Sequence, residues 1–116
     1  MRHQVRGKKL GRKKHVRVQL MKNLAISIIM EEKVKTTITK AKMVRGLVDK
    51  AIILGKDEKL ASKQKLQQLI TNKKAEAKLR KELKEKYKEK VSGFTRITKI
   101  GKRLGDAAEM VIIELV

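Results

Sequence analysis

Phe94–Val116 reads FTRITKIGKRLGDAAEMVIIELV, and this stretch decides the fold. Helical periodicity stops just before it, at Val91-Ser92-Gly93. Phe94–Ile100 (FTRITKI) and Met110–Val116 (MVIIELV) then read as two strands joined by residues 101–109. The second is apolar at neighbouring positions, so both of its faces are apolar. That pattern predicts a buried central strand rather than an edge. On this reading Ile112→Asp would place a charge in the core and unfold the domain.

Upstream of this stretch the periodicity is helical. Leu20, Leu24 and Ile28, with Met21, Ala25 and Ile29, recur at three- and four-residue spacing and predict a helix over Val16–Met30. Val34–Ile38 (VKTTI) is rich in β-branched residues and predicts a short strand. Thr39 is placed to cap a second helix that runs to about Leu54, with Met43, Val44, Leu47, Val48, Ala51 and Ile52 as its stripe. Gly55 is placed to end it, while Gly46 inside it marks either a cost in helix propensity or a close contact. A third helix is expected near Glu58–Ile70, using Leu60, Leu66, Leu69 and Ile70. Thr71 or Asn72 caps a fourth over Lys73–Lys90, whose Ala75, Leu79, Leu83 and Tyr87 fall at strict four-residue intervals.

The expected architecture is therefore α/β (α+β): about four helices packed on a small three-stranded mixed sheet. One compact domain covers residues 16–116, behind a basic extended N-terminal arm at residues 1–15. At 116 residues such a chain has enough apolar surface for one modest core.

Charge carries the functional signal. The formal net charge is +20, and the first thirty residues hold nine Lys and Arg without one Asp or Glu. Such a segment has no internal partner for its cations and reads as an arm laid against a dense polyanion, with nucleic acid the best fit. A solubilising tail is the plainer alternative. Gly7 and Gly11, with Val5 and Leu10 between charges, favour an arm that has a shape to fit. Lysine outnumbers arginine by 24 to 8, which favours contacts to phosphates over the bidentate reading of bases. Lys73–Lys90 differs, because its nine bases are mixed with four acids and can partly satisfy themselves.

Several function classes are excluded or disfavoured. There is no cysteine, so disulfides and thiolate metal sites are ruled out. His3 and His15 have no acid within fifteen residues, and polar contacts to phosphate or sugar suit them better than metal. Gly7–Gly11 lacks the Gly-Lys-Ser/Thr ending of a nucleotide loop. Glu31/Glu32 and Asp106/Glu109 are explained by helix-end and turn roles, so no enzyme, cofactor or small-molecule substrate is expected. Tyr87 and Phe94 are the only aromatic residues; they are expected in the core and leave no platform for base stacking. No apolar run exceeds four residues, the length of Met110–Ile113, which is far too short to span a membrane, and no apolar segment of signal-peptide type follows the N-terminus. Cytoplasmic residence is the default expectation. The loop Gly101–Asp106 fits a second phosphate contact and an ordinary surface turn equally well.

Met1-Arg2-His3, Gly7–Arg12 (GKKLGR), Asn23-Leu24-Ala25, Glu32–Thr37 (EKVKTT), Lys40-Ala41-Lys42 and Thr95–Val116 occur in an order and spacing that resemble one known family. It is the bacterial-type large-subunit ribosomal protein of the seventeenth family, and the resemblance runs essentially end to end. It departs at Lys13-Lys14-His15-Val16, where that family usually has hydroxyl residues before the histidine. It departs again at Lys102 and Leu104, where Pro and a second Arg are common. The resemblance implies a compact α/β body with a basic extension, bound to large-subunit (23S-type) ribosomal RNA beside neighbouring ribosomal proteins. It further implies a position on the solvent side, towards the nascent-chain exit. Carried over by position, Arg2, His3, Lys8, Lys9, Arg12 and Arg17 match the family's arm, and Arg96, Lys99 and Arg103 its C-terminal motif. The charge reading adds Arg6, Lys13, Lys14, His15, Lys22, Lys40 and Lys102 as expected RNA contacts. A DNA-binding architectural protein is the alternative that shares the basicity.

Overall fold

The computed structural model of the protein describes residues 14–116. The element order is α1 (Lys14–Glu31), β1 (Lys33–Thr37), α2 (Ile38–Lys56), α3 (Leu60–Leu69), α4 (Lys73–Arg80), α5 (Glu82–Lys86), β2 (Thr95–Lys102) and β3 (Glu109–Leu115). This is the α+β architecture expected, with the helices packed on a three-stranded sheet.

β3 lies between β1 and β2, so its central position is as the apolar run predicts. Both pairings are antiparallel, whereas a mixed sheet was expected. The reason lies at the end of α1. Glu32 adopts a left-handed backbone at φ 62°, and its N–H closes the helix onto the Ile28 carbonyl at 2.7 Å. Its own carbonyl then accepts from Leu115 N–H at 2.8 Å, which sets the start of β1 beside the end of β3. β2 and β3 form a hairpin, with a bulge between Lys99 and Gly101 where Gly101 takes φ 122°.

The helices cover one face of the sheet. Val111, Ile113 and Leu115 point into the core, while Met110, Ile112 and Glu114 alternate onto the open face and are half-buried. The expectation that β3 is covered on both faces is therefore corrected, and Ile112 is not a core residue. Strand period alone places Ile112 and Ile113 on opposite sides; only packing decides which side is wet.

The helical stripes match closely. Ala25, Ile28 and Ile29 of α1, and Val44, Val48, Ala51 and Ile52 of α2, are buried. Strand β1 passes directly into α2, so Thr37 is the N-cap and Thr39 lies inside the first turn. Gly55 does not end α2. It lets α2 approach α4, because a Cβ there would sit 3.1 Å from Leu79 Cβ and 3.1 Å from the Leu79 carbonyl oxygen. Gly46 has nothing within 4 Å of such a Cβ, so the close contact belongs to Gly55 alone. In α3, Leu66 is buried with the adjoining Ile70, but Leu60 is 69% exposed and takes no part in the core.

Ala75, Leu79, Leu83 and Tyr87 are all buried, yet Lys73–Lys90 is not one helix. A four-residue seam drifts by about 40° per step around a straight α-helix. The break at Lys81 (φ −108°, ψ −75°) starts a new short helix, so Leu83 and Tyr87 also meet the core. Asn72 caps α4, its side-chain oxygen accepting from Ala75 N–H at 3.0 Å. Tyr87 and Phe94 pack edge to face at 5.1 Å, as expected of core aromatics.

Candidate nucleic-acid interface

Arg2, His3, Arg6, Lys8, Lys9, Arg12 and Lys13 lie outside the described residues. Lys14 and His15, read from sequence as the end of the arm, stand exposed in the first turn of α1, with Arg17 half-buried one turn on. Val16 and Val18 are exposed beside them. Lys22, half-buried, donates from Nζ to the Gln68 carbonyl at 3.0 Å and so ties α1 to the C-terminal turn of α3. That carbonyl belongs to the negative end of a helix, where a cation is favourable. Lys40 sits half-buried in the first turn of α2.

The C-terminal cations divide into two kinds. Arg96 donates through Nε and Nη2 to Glu114 Oε1 at 3.2 and 3.0 Å across the β2–β3 pair. Arg103 forks onto Asp106, with Nε to Oδ1 at 3.1 Å and Nη2 to Oδ2 at 2.5 Å. The Arg103 guanidinium, aided by the Ala108 N–H, holds the Asp106 carboxyl down to about 2. Both arginines thus carry an internal counter-charge, and the loop holding Arg103 is built as a self-contained turn. Lys99 and Lys102 are exposed and form no ion pair among the described residues.

The same sorting applies to α4 and α5. Glu32 receives Lys78 and Lys86, both at 3.2 Å, and these hydrogen bonds lower its pKa, that from Lys86 most. Arg80 pairs with Glu76 and Lys84 with Glu58. Only the Arg80–Glu76 pair is internal to the lysine-rich segment, so its mixed composition accounts for one pair. Lys78, Lys86 and Lys84 reach Glu32 and Glu58 outside it, and tie α4 and α5 to the end of α1 and to the chain before α3.

Sequence reasoning missed three cations. Lys35 joins Lys102 and Arg103 around a groove of about 410 Å³ with Ile100, Leu104 and Met110, at the turn end of the hairpin. Lys50 and Lys65 join Lys22 around a second groove, of about 330 Å³. Each of the three stands in a segment whose sequence signal is an apolar stripe, so nothing local marks it out. No helix among the described residues is long and apolar enough to cross a membrane.

Comparison with known proteins bears on the family of the chain. A family model described as Ribosomal protein L17 matches residues 20–116, from within α1 to the last residue of the chain. The chain belongs to the ribosomal protein L17 family. A large ribosomal subunit protein bL17 from Fusobacterium nucleatum is 40% identical over the whole of both chains. One from Pelobacter propionicus is 43% identical over all of this chain and 91% of its own. One from Sulfurihydrogenibium sp. is 41% identical over all of this chain and 97% of its own. The family assignment drawn from the sequence motifs is thereby established. The L17 relatives align through the basic N-terminal segment as well as through the folded body.

Proposed function

We propose that this L17-family protein is a structural constituent of the large ribosomal subunit, acting in the cytoplasm. It binds and stabilises ribosomal RNA, and takes no part in chemistry. In this reading the basic segment read from sequence as residues 1–15 is the RNA-binding arm, its last two residues, Lys14 and His15, opening α1 of the body that anchors it. The subunit position is the solvent side, towards the nascent-chain exit, with other large-subunit proteins as neighbours. The observation that carries the proposal is the lack of any acid among the first thirty residues. Charges without internal partners need an external polyanion, and a folded RNA supplies phosphates and 2′-hydroxyls at the depth an arm reaches. The relatives' printed name, large ribosomal subunit protein, supports the choice of that particle.

Removing residues 1–14 should leave a folded body that no longer joins large subunits stably. The check is quantification of the truncated chain in purified subunits, with crosslinking to identify the attached nucleotides. Full occupancy by the truncated chain would defeat the arm's role. Equal affinity for duplex DNA and for large-subunit RNA at matched salt would favour the architectural DNA-binding alternative.

A further inference from the structure

We propose that the groove between α1, α2 and α3 is a phosphodiester-binding site on the body, separate from the N-terminal arm and formed by Lys22, Lys50 and Lys65. The proposal rests on the RNA-binding reading and names a place where the body itself grips the backbone. The three lysines come from three different helices and line one concavity of about 330 Å³, together with Leu54, Gln68 and Leu69. No Asp or Glu lines it. That separates it from the groove along α5 and the chain after it, which contains Glu85 and Glu89, and from the groove at the end of α2, which contains Asp57 and Glu58. The hairpin groove also lacks a carboxylate in its wall, but its Arg103 is already neutralised by Asp106.

Lys22 is held in place by its bond to the Gln68 carbonyl, which uses one of its three N–H donors and leaves two. The same bond offsets the negative end of α3, which would otherwise repel an anion. Lys50 and Lys65 are exposed and have no ion pair among the described residues. Three like charges gathered in one hollow repel one another until an anion enters. Lysine ammonium groups are compact point charges suited to non-bridging phosphate oxygens, and the leucine floor offers a sugar an apolar surface. The groove has no aromatic or arginine side chain with which to read a base. The ligand is therefore a stretch of polynucleotide backbone, recognised without regard to sequence.

The test uses the full chain and protein-free large-subunit ribosomal RNA over a series of salt concentrations. Lys50→Gln/Lys65→Gln removes two charges from the groove. Lys73→Gln/Lys74→Gln, at the exposed start of α4, removes the same net charge elsewhere. The groove variant should flatten the plot of log affinity against log salt by about 1.4–1.8, while the control changes it little. Matching thermal melts verify that both variants fold. Equal slopes for the two variants overturn the site and leave the RNA reading standing. An original chain that fails to bind the RNA overturns that reading and the site with it. An unchanged RNA slope with lost binding to phosphatidylserine vesicles would assign the groove to a lipid headgroup and overturn it as well.

Discussion

The Tyr87 hydroxyl donates to the backbone carbonyl of Val116 at 2.8 Å, so the ring at the end of α5 holds the C-terminus of the chain. Val116 N–H in turn donates to the Phe94 carbonyl at 2.9 Å, and Phe94 packs against the Tyr87 ring. The three residues close the sheet against the helices at the end of β3. Tyr87→Phe keeps the ring and loses the hydrogen bond, at a cost of about 1 kcal/mol. Tyr87→Ala also empties the core site and should cost about 3–5 kcal/mol. Urea melts separate the two, and equal losses would show that the hydroxyl, not the ring, carries the anchor.

Ile112 and Ile113 are neighbours with opposite fates. Ile113→Asp buries a charge under α2 and should cost several kcal/mol, enough to unfold the domain. Ile112→Asp falls on the open face, directly opposite Lys35 on β1 and Thr98 on β2. A carboxylate there gains a cross-strand cation, so the change should cost no more than about 1–2 kcal/mol. Circular dichroism of the two variants decides it. Loss of structure in Ile112→Asp would mean that this face is covered.

Two glycines of α2 should respond in opposite directions to alanine. Gly46→Ala meets nothing within 4 Å and should stabilise by about 0.5–1 kcal/mol through helix propensity. Gly55→Ala must push the Leu79 backbone away and should destabilise by about 1–2 kcal/mol despite the same gain in propensity. Thermal melts of both variants test the claim, and a stabilised Gly55→Ala would show that α4 yields freely.

Glu32 gives the fold a pH dependence of known sign. Its folded pKa lies below the ordinary 4.5 because Lys86 and Lys78 hydrogen-bond its carboxylate. The stabilisation is therefore complete above pH 4.5 and fades as pH falls through the lower folded value. The carboxylate is partly exposed, so screening limits the two pairs together to about 0.5–1 kcal/mol. Glu32→Gln should be less stable than the original chain at pH 7, with the difference shrinking as the pH is lowered below 4.5, measured by urea melts. A constant difference across that range would remove the ion pairs as the cause.

The functional counterpart is a salt dependence. If the N-terminal segment neutralises about six phosphates, log affinity for ribosomal RNA should fall against log salt with a slope of about −4 to −5. A slope near −1 in a filter-binding titration would mean that its charges face solvent.

Sequence alone determined what depends on neighbours along the chain. The seam of Ala75, Leu79, Leu83 and Tyr87, the stripe of α2, the hairpin after Gly93 and the acid-free first thirty residues are all visible there, because period and charge are local quantities. Tertiary structure decided what depends on partners far away in the chain. It chose the covered face of β3, made Gly55 a contact rather than a terminator, and joined Glu32 to Lys86 across 54 positions. It also sorted the cations. Arg96 received the Glu114 carboxylate across the hairpin, while Lys50 and Lys65 were brought to Lys22 without one. A charge is free or spent according to what folding sets within about 4 Å of it, and no pattern along the chain encodes that distance.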